Sequence, residues 1–183
     1  MREYRKLREE HPEARSKTKW VLYRNYPEKG KRTILDKVFI DRFRSVEEEL
    51  LPRWTLTERT KKIGEYDCKM AATTFYGRKW EVWYAPAISI PYGPWLLSGL
   101  PGVVVEAVDE TFSHTFQLLR FEQRRTPIIY QLGDYFEATR EQVLKQQSYF
   151  SEHNSEYIEN SSVGSQMGDQ GASRILPFNP LRR

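Results

Sequence analysis

Between Trp54 and Tyr84 the residue character alternates at every second position, and the breaks between runs are only two to four residues long. That combination restricts topology severely. A period of two belongs to pleated strands, whose side chains alternate across the sheet. A link of two to four residues can only fold back into an antiparallel neighbour, because a parallel crossover takes a dozen or more. The segment is therefore predicted as an antiparallel meander: a strand over 54–63, a Gly64-Glu65 turn, a strand over 66–75, a turn at Tyr76-Gly77-Arg78, and a strand from Lys79 to Tyr84. Tyr66, Cys68, Met70 and Ala72 then share one face, against Asp67, Lys69 and Thr73. In the third strand Trp80, Val82 and Tyr84 oppose Lys79, Glu81 and Trp83.

The flanks extend the pattern. Aromatic residues make up 14% of the 183-residue chain, which suits pleated, half-buried surfaces. Trp20–Tyr26 reads as a strand, Pro27–Gly30 as a turn, Thr33–Phe43 as a strand, and Ser45–Glu49 as a charged connection. Val103–Asp109 and Phe112–Glu122 read as a further hairpin about Asp109-Glu110, with Phe112, His114, Phe116 and Leu118 on one face. Ile128–Tyr130 is expected as a short additional strand. One helix is predicted, roughly Arg140–Ser151: Thr139 stands three residues before Gln142, the capping-box spacing, and Val143, Leu144, Gln147 and Phe150 form a modest stripe. The organisation follows as a charged N-terminal segment over 1–19 (with a short helix at 2–10), an antiparallel β domain with its helix over 20–151, and a polar linker with an apolar tail over 152–183.

The strand ending at Tyr84 and the strand over 103–109 are joined through SIPYGPWLLSGLPG, residues 89–102. Prolines fix φ and withhold donors, so this segment cannot extend a ladder; glycines permit close backbone approach. With Trp95, Leu96, Leu97 and Leu100 inside it, the segment is expected as a long loop of fixed shape that folds back to close one end of the core. The fold class is mainly β: one strongly curved antiparallel sheet, a half-barrel in outline, with one C-terminal helix and this Pro/Gly-rich loop.

Net charge is +4, but its distribution matters more: residues 1–19 carry +3 and the C-terminal arginines 174, 182 and 183 another +3. Nucleic-acid binders place base on a folded face, whereas here it lies at the ends, so no nucleic acid is expected as a partner. No apolar run approaches the ~20 residues that span a bilayer. The start has no apolar stretch of a signal peptide.

Candidate chemistry is sparse. His11, His114 and His153 have no ligand-like spacing, and the single Cys68 supports neither a disulfide nor a zinc site. His114 reads as a packed core or rim histidine and Cys68 as a small buried hydrophobe. Ser98-Gly-Leu-Pro-Gly102 is not the Gly-x-Ser-x-Gly elbow of a nucleophile. No catalytic, metal or cofactor residue is assigned, and the chain is expected not to be an enzyme. The aromatic cluster is the open case. Trp83, Tyr92, Trp95, Leu97 and Leu100 are the candidate binding residues, lining a groove for an apolar ligand or a partner protein.

Several of these residues resemble a known signature. Cys68-Lys69 and Ala71 after Gly64-Glu65-Tyr66, then Trp83-Tyr84-Ala85-Pro86, Gly93-Pro94, Gly99-Leu-Pro-Gly102 and the terminal Pro177-Phe-Asn-Pro180 are similar to the GLPGLI family of Bacteroidetes envelope proteins. The chain departs from it in Val103-Val104, where the family name has Leu-Ile, and in opening on charge, where the family has a signal peptide. The resemblance implies a periplasmic or outer-membrane-associated protein, in the company of TonB-dependent transport, if a leader precedes this chain; otherwise the start reads as cytoplasmic. It implies no reaction. The function expected is a non-enzymatic envelope protein that binds a partner protein or hydrophobic ligand. The alternatives are a lipid carrier using the concave face of the sheet and a hydrolase with unassigned residues.

Overall fold

The computed structural model describes residues 20–125, 127–131 and 133–159. The expected N-terminal helix and the Pro177–Pro180 tail lie outside them. The described chain is mainly β, with antiparallel strands in two sheets and a C-terminal helix. The single curved sheet expected from the sequence is thereby corrected to two. In chain order the strands are β1 (Val21–Arg24), β2 (Lys31–Val38), β3 (Asp41–Glu48), β4 (Thr55–Ile63), β5 (Tyr66–Phe75), β6 (Arg78–Ala85), β7 (Val103–Asp109), β8 (Thr115–Gln117) and β9 (Phe136–Glu137). One sheet has the order β1-β2-β3-β9 and the other β4-β5-β6-β7-β8.

The meander falls within a residue or two of the sequence expectation. β4 and β5 turn at Gly64-Glu65, and β5 and β6 turn at Tyr76-Gly77, where both residues take positive φ (49° and 71°), the geometry that matches strand twist in a two-residue hairpin. The β4–β5 register slips between Leu56 and Thr60, a bulge in the edge strand.

Elsewhere the structure departs from the expectation. The predicted strand over 33–43 is two strands: β2 and β3 pair from Val38↔Asp41 to Lys31↔Glu48 about a Phe39-Ile40 turn. The turn holds no Gly, Pro, Asn or Asp, and Phe39 itself adopts φ 52°. Residues 45–48, expected as a connection, belong to β3. β8 is only three residues long; Phe112 is 80% exposed, while Phe116 packs on one side of the sheet and Leu118 on the other. Residues 128–130 form no strand. Their Tyr130 ring packs on Tyr23 and Tyr26 (4.9 and 4.7 Å), and Tyr23 Oη joins the same segment by donating to Ile129 O and accepting from Gln131 N–H. β9, the added strand, runs parallel to β3.

Helix α1 (Arg140–Glu152) starts as predicted. The Thr139 hydroxyl accepts from Gln142 N–H, and the Gln142 side chain accepts from Thr139 N–H. Where the sequence suggested a linker, a second helix, α2 (Asn154–Glu159), follows at once. Val143 and Tyr157 bury against Val38 beside Phe39 and Phe43, while Arg140 pairs with Asp36 and Tyr157 Oη donates to Asp41 at 2.7 Å.

Both faces of the β4–β8 sheet are apolar. One carries Ala71, Trp80, Val82, Tyr84, Val104 and Ala107 and packs on Trp95, Leu96, Leu97 and Leu100; the other carries Cys68, Met70, Trp83, Ala85, Val103 and Val105. That double burial explains why β6 and β7 read as nearly continuous apolar runs at their facing ends.

Candidate functional site

Residues 86–102 between β6 and β7 form no strand. The segment bonds to itself: Leu97 N–H to Pro94 O (3.1 Å), Gly99 N–H to Pro91 O (2.9 Å), Val103 N–H to Ile88 O (3.0 Å). Its apolar side chains point inward, with Trp95, Leu96, Leu97 and Leu100 between 0 and 8% exposed. Trp95 holds φ at 52°, a costly value for a bulky residue, and is retained by its ring, which meets Phe75, Tyr76 and Trp80 at 5.8–5.9 Å.

Two long side chains tie this segment to the rest of the molecule. Trp54 Nε1–H donates to Ser98 O at 2.9 Å. Arg24, at the end of β1, donates to Trp95 O at 2.8 Å and to Ser98 Oγ at 3.3 Å, and pairs with Glu49. The Arg24 guanidinium also lies over the Tyr92 ring, 5.4 Å from its centroid. Around this clasp the surface is apolar: Leu50 and Leu51 are 56% and 57% exposed and Tyr92 45%. Leu51 Cδ1 reaches to within 3.9 Å of where a Cβ on Gly99 would stand, which joins the leucine pair to the Pro91–Gly99 turn.

Of the five residues singled out from sequence, only Tyr92 reaches this surface. Trp95, Leu97 and Leu100 lie in the core beneath it. Trp83 lies apart on the opposite face, buried among Cys68, Met70 and Val105 and roofed by Lys61 Nζ (4.4 Å) and the Arg59 guanidinium (5.5 Å). Leu50 and Leu51 were not singled out. Their only signal in the sequence is an adjacent leucine pair that directly follows the charged 45–49 connection.

A second polar cluster sits at the β7–β8 turn. Asp109, fully buried, pairs with Arg78 (2.5 Å) and accepts from Thr111 Oγ1 (2.9 Å) and His114 N–H (3.1 Å); His114 Nδ1 is 3.5 Å away. Burial alone would raise the Asp109 carboxyl. The bonds from His114 and Thr111 and the Arg78 charge outweigh it and hold the carboxyl below its ordinary value. The cluster therefore works as a charged turn cap, with the acid already neutralised by Arg78. Among the described residues no three His, Cys, Asp or Glu side chains gather as metal ligands. Cys68 is buried at 1% exposure, and that burial raises its thiol pKa.

The crevice bounded by Leu22, Ile34, Trp95 and Leu96 offers about 10 Å³, the room of roughly one water molecule. Among the described residues no helix is long and apolar enough to cross a membrane.

No family model matches the chain, and no curated protein matches it. Among solved structures the chain is similar to PNGF-II in two crystal forms. The C2 form superposes with a TM-score of 0.54 and the P21 form with 0.50, each at 16% identity over 74% of this chain. The chain spans 26% of the length of PNGF-II. At that identity the likeness is one of fold.

Proposed function

We propose that the chain is a non-enzymatic binding module of the bacterial envelope, which docks a partner protein on the apolar rim formed by Leu50, Leu51 and Tyr92. The observation that carries this reading is the exposure of those three side chains around the part-buried Arg24–Trp54 clasp. Large apolar groups held open on an ordered scaffold mark interaction sites, and Arg24 and Trp54 hold this scaffold through five contacts to four residues. In the same reading the 86–102 segment is a loop of fixed shape closing one end of a half-barrel, and Trp95, Leu97 and Leu100 support the rim from below. Compartment and the link to TonB-dependent transport rest on the resemblance to the GLPGLI family.

The lipid-carrier alternative is the weaker one. A carrier needs an apolar cavity of several hundred Å³, and the crevice between the sheets holds about 10 Å³.

The test is site-specific photocrosslinking in the native host, with a benzophenone amino acid in place of Tyr92 or, as a control, of the exposed turn residue Lys29. A single envelope adduct formed only from position 92, and lost when Leu51→Asp is added, is the expected result. Equal adducts from both positions would remove the rim as a docking site.

A further inference from the structure

A groove of about 520 Å³ opens on the β4–β8 sheet away from the rim just described. Its lining includes Thr60 and Lys62 of β4, Asp67 and Lys69 of β5, and Pro86 and Ala87 just past β6. The register Thr60↔Lys69 and Lys62↔Asp67 sets the four strand residues on one face. All four are exposed.

The charges in this groove are unbalanced. Lys61, also on its lining, is engaged by Glu106 at 3.0 Å and lies over Trp83. Lys62 and Lys69 have no carboxylate within ion-pair distance among the described residues, and Asp67, opposite Lys62 in register, forms no ion pair with it. Two uncommitted ammonium groups thus stand on one face against one carboxylate. Pro86 contributes no N–H to the wall of the groove.

The groove crosses from β4 over β5 to the end of β6, two inter-strand spacings or roughly 10 Å, which is the reach of about three extended residues. We propose that this groove binds the acidic stretch of an extended polypeptide, with alternate carboxylates meeting Lys62 and Lys69. Alternation follows from the period of an extended chain, which shows every second side chain to the same side. This site is independent of the Leu50–Leu51–Tyr92 rim and does not rest on it.

The experiment is fluorescence anisotropy on the full chain with a labelled decapeptide of alternating Glu and Thr, its Gln–Thr counterpart, and citrate as competitor. Binding of the Glu peptide alone is expected, weakening as salt is added and falling roughly tenfold or more in Lys62→Glu/Lys69→Glu. Leu51→Asp should leave it unchanged. Lys62→Gln/Lys69→Gln, which adds no negative charge, serves if the reversed pair fails to fold. Equal binding of the Gln peptide, equal loss in the control Lys29→Glu, or displacement by citrate at concentrations similar to the peptide's own would each overturn the proposal.

Discussion

Cys68 lies beneath the second face of the β4–β8 sheet, with its thiol 3.5 Å from Tyr66 O. Burial disfavours the thiolate, which is the reactive form. The folded protein is therefore expected to resist a thiol reagent at neutral pH and to react only once unfolded; rapid labelling of the native state would contradict the burial. Asp109 makes the opposite case, a buried acid kept charged by its neighbours. Its pKa lies below its ordinary 3.8, so its contribution to stability is present above that value and is lost as the pH falls below it. Asp109→Asn removes the carboxylate charge that pairs with buried Arg78, a loss on the order of 3–5 kcal/mol. Melting temperatures from pH 2 to 7 should show the variant lower at neutral pH and less sensitive to acid than the parent. Equal slopes would assign the acid response to other carboxylates.

Elements form where local rules agree, and two of them show what such rules can and cannot reach. The Thr139–Gln142 capping box is visible as spacing because both bonds lie within four residues. The β2–β3 hairpin is invisible because its turn is built from Phe39 and Ile40, whose identities announce strand. Phe39 accepts a positive φ in exchange for packing against Phe150 and the Val38–Val143–Tyr157 cluster, contacts that no local window contains. The 86–102 segment depends on close backbone approach at two glycines. A Cβ on Gly102 would stand 2.3 Å from Ala85 O, and one on Gly93 would stand 2.4 Å from Leu97 O. Both obstacles are backbone atoms and cannot swing aside. Gly102→Ala is expected to cost about 1–3 kcal/mol, lowering the melting temperature by roughly 2–12 °C. An unchanged melting curve would mean that the segment adapts freely.

At the scale of the molecule, two sheets with no shared strand are held together by side chains. Arg24 of β1 reaches Trp95 O, Arg32 of β2 donates to Tyr76 Oη at 2.5 Å, and Leu22 packs against the Trp80–Leu97 cluster. Because Arg32 is wholly buried at this contact, separating the sheets would break its bond to Tyr76 and uncover the packing of Leu22 on the Trp80–Leu97 cluster. Unfolding is therefore expected to be concerted, with far-UV circular dichroism and tryptophan fluorescence melting together; the tryptophans all lie in or beside the β4–β8 sheet, so a fluorescence transition displaced from the backbone signal would reveal independent halves. Sequence alone determined the 54–84 meander, the inward apolar character of residues 95–100 and the start of α1, because period, turn chemistry and capping act between residues a few positions apart. The division into two sheets, the burial of Trp83 and the exposure of Leu50, Leu51 and Tyr92 were decided only by tertiary structure. Those outcomes depend on which distant surfaces meet: a tryptophan that shares its strand face with Lys79 and Glu81 becomes core once Met70, Val105 and the stems of Arg59 and Lys61 close over it, and a leucine pair stays in solvent when nothing among the described residues arrives to cover it.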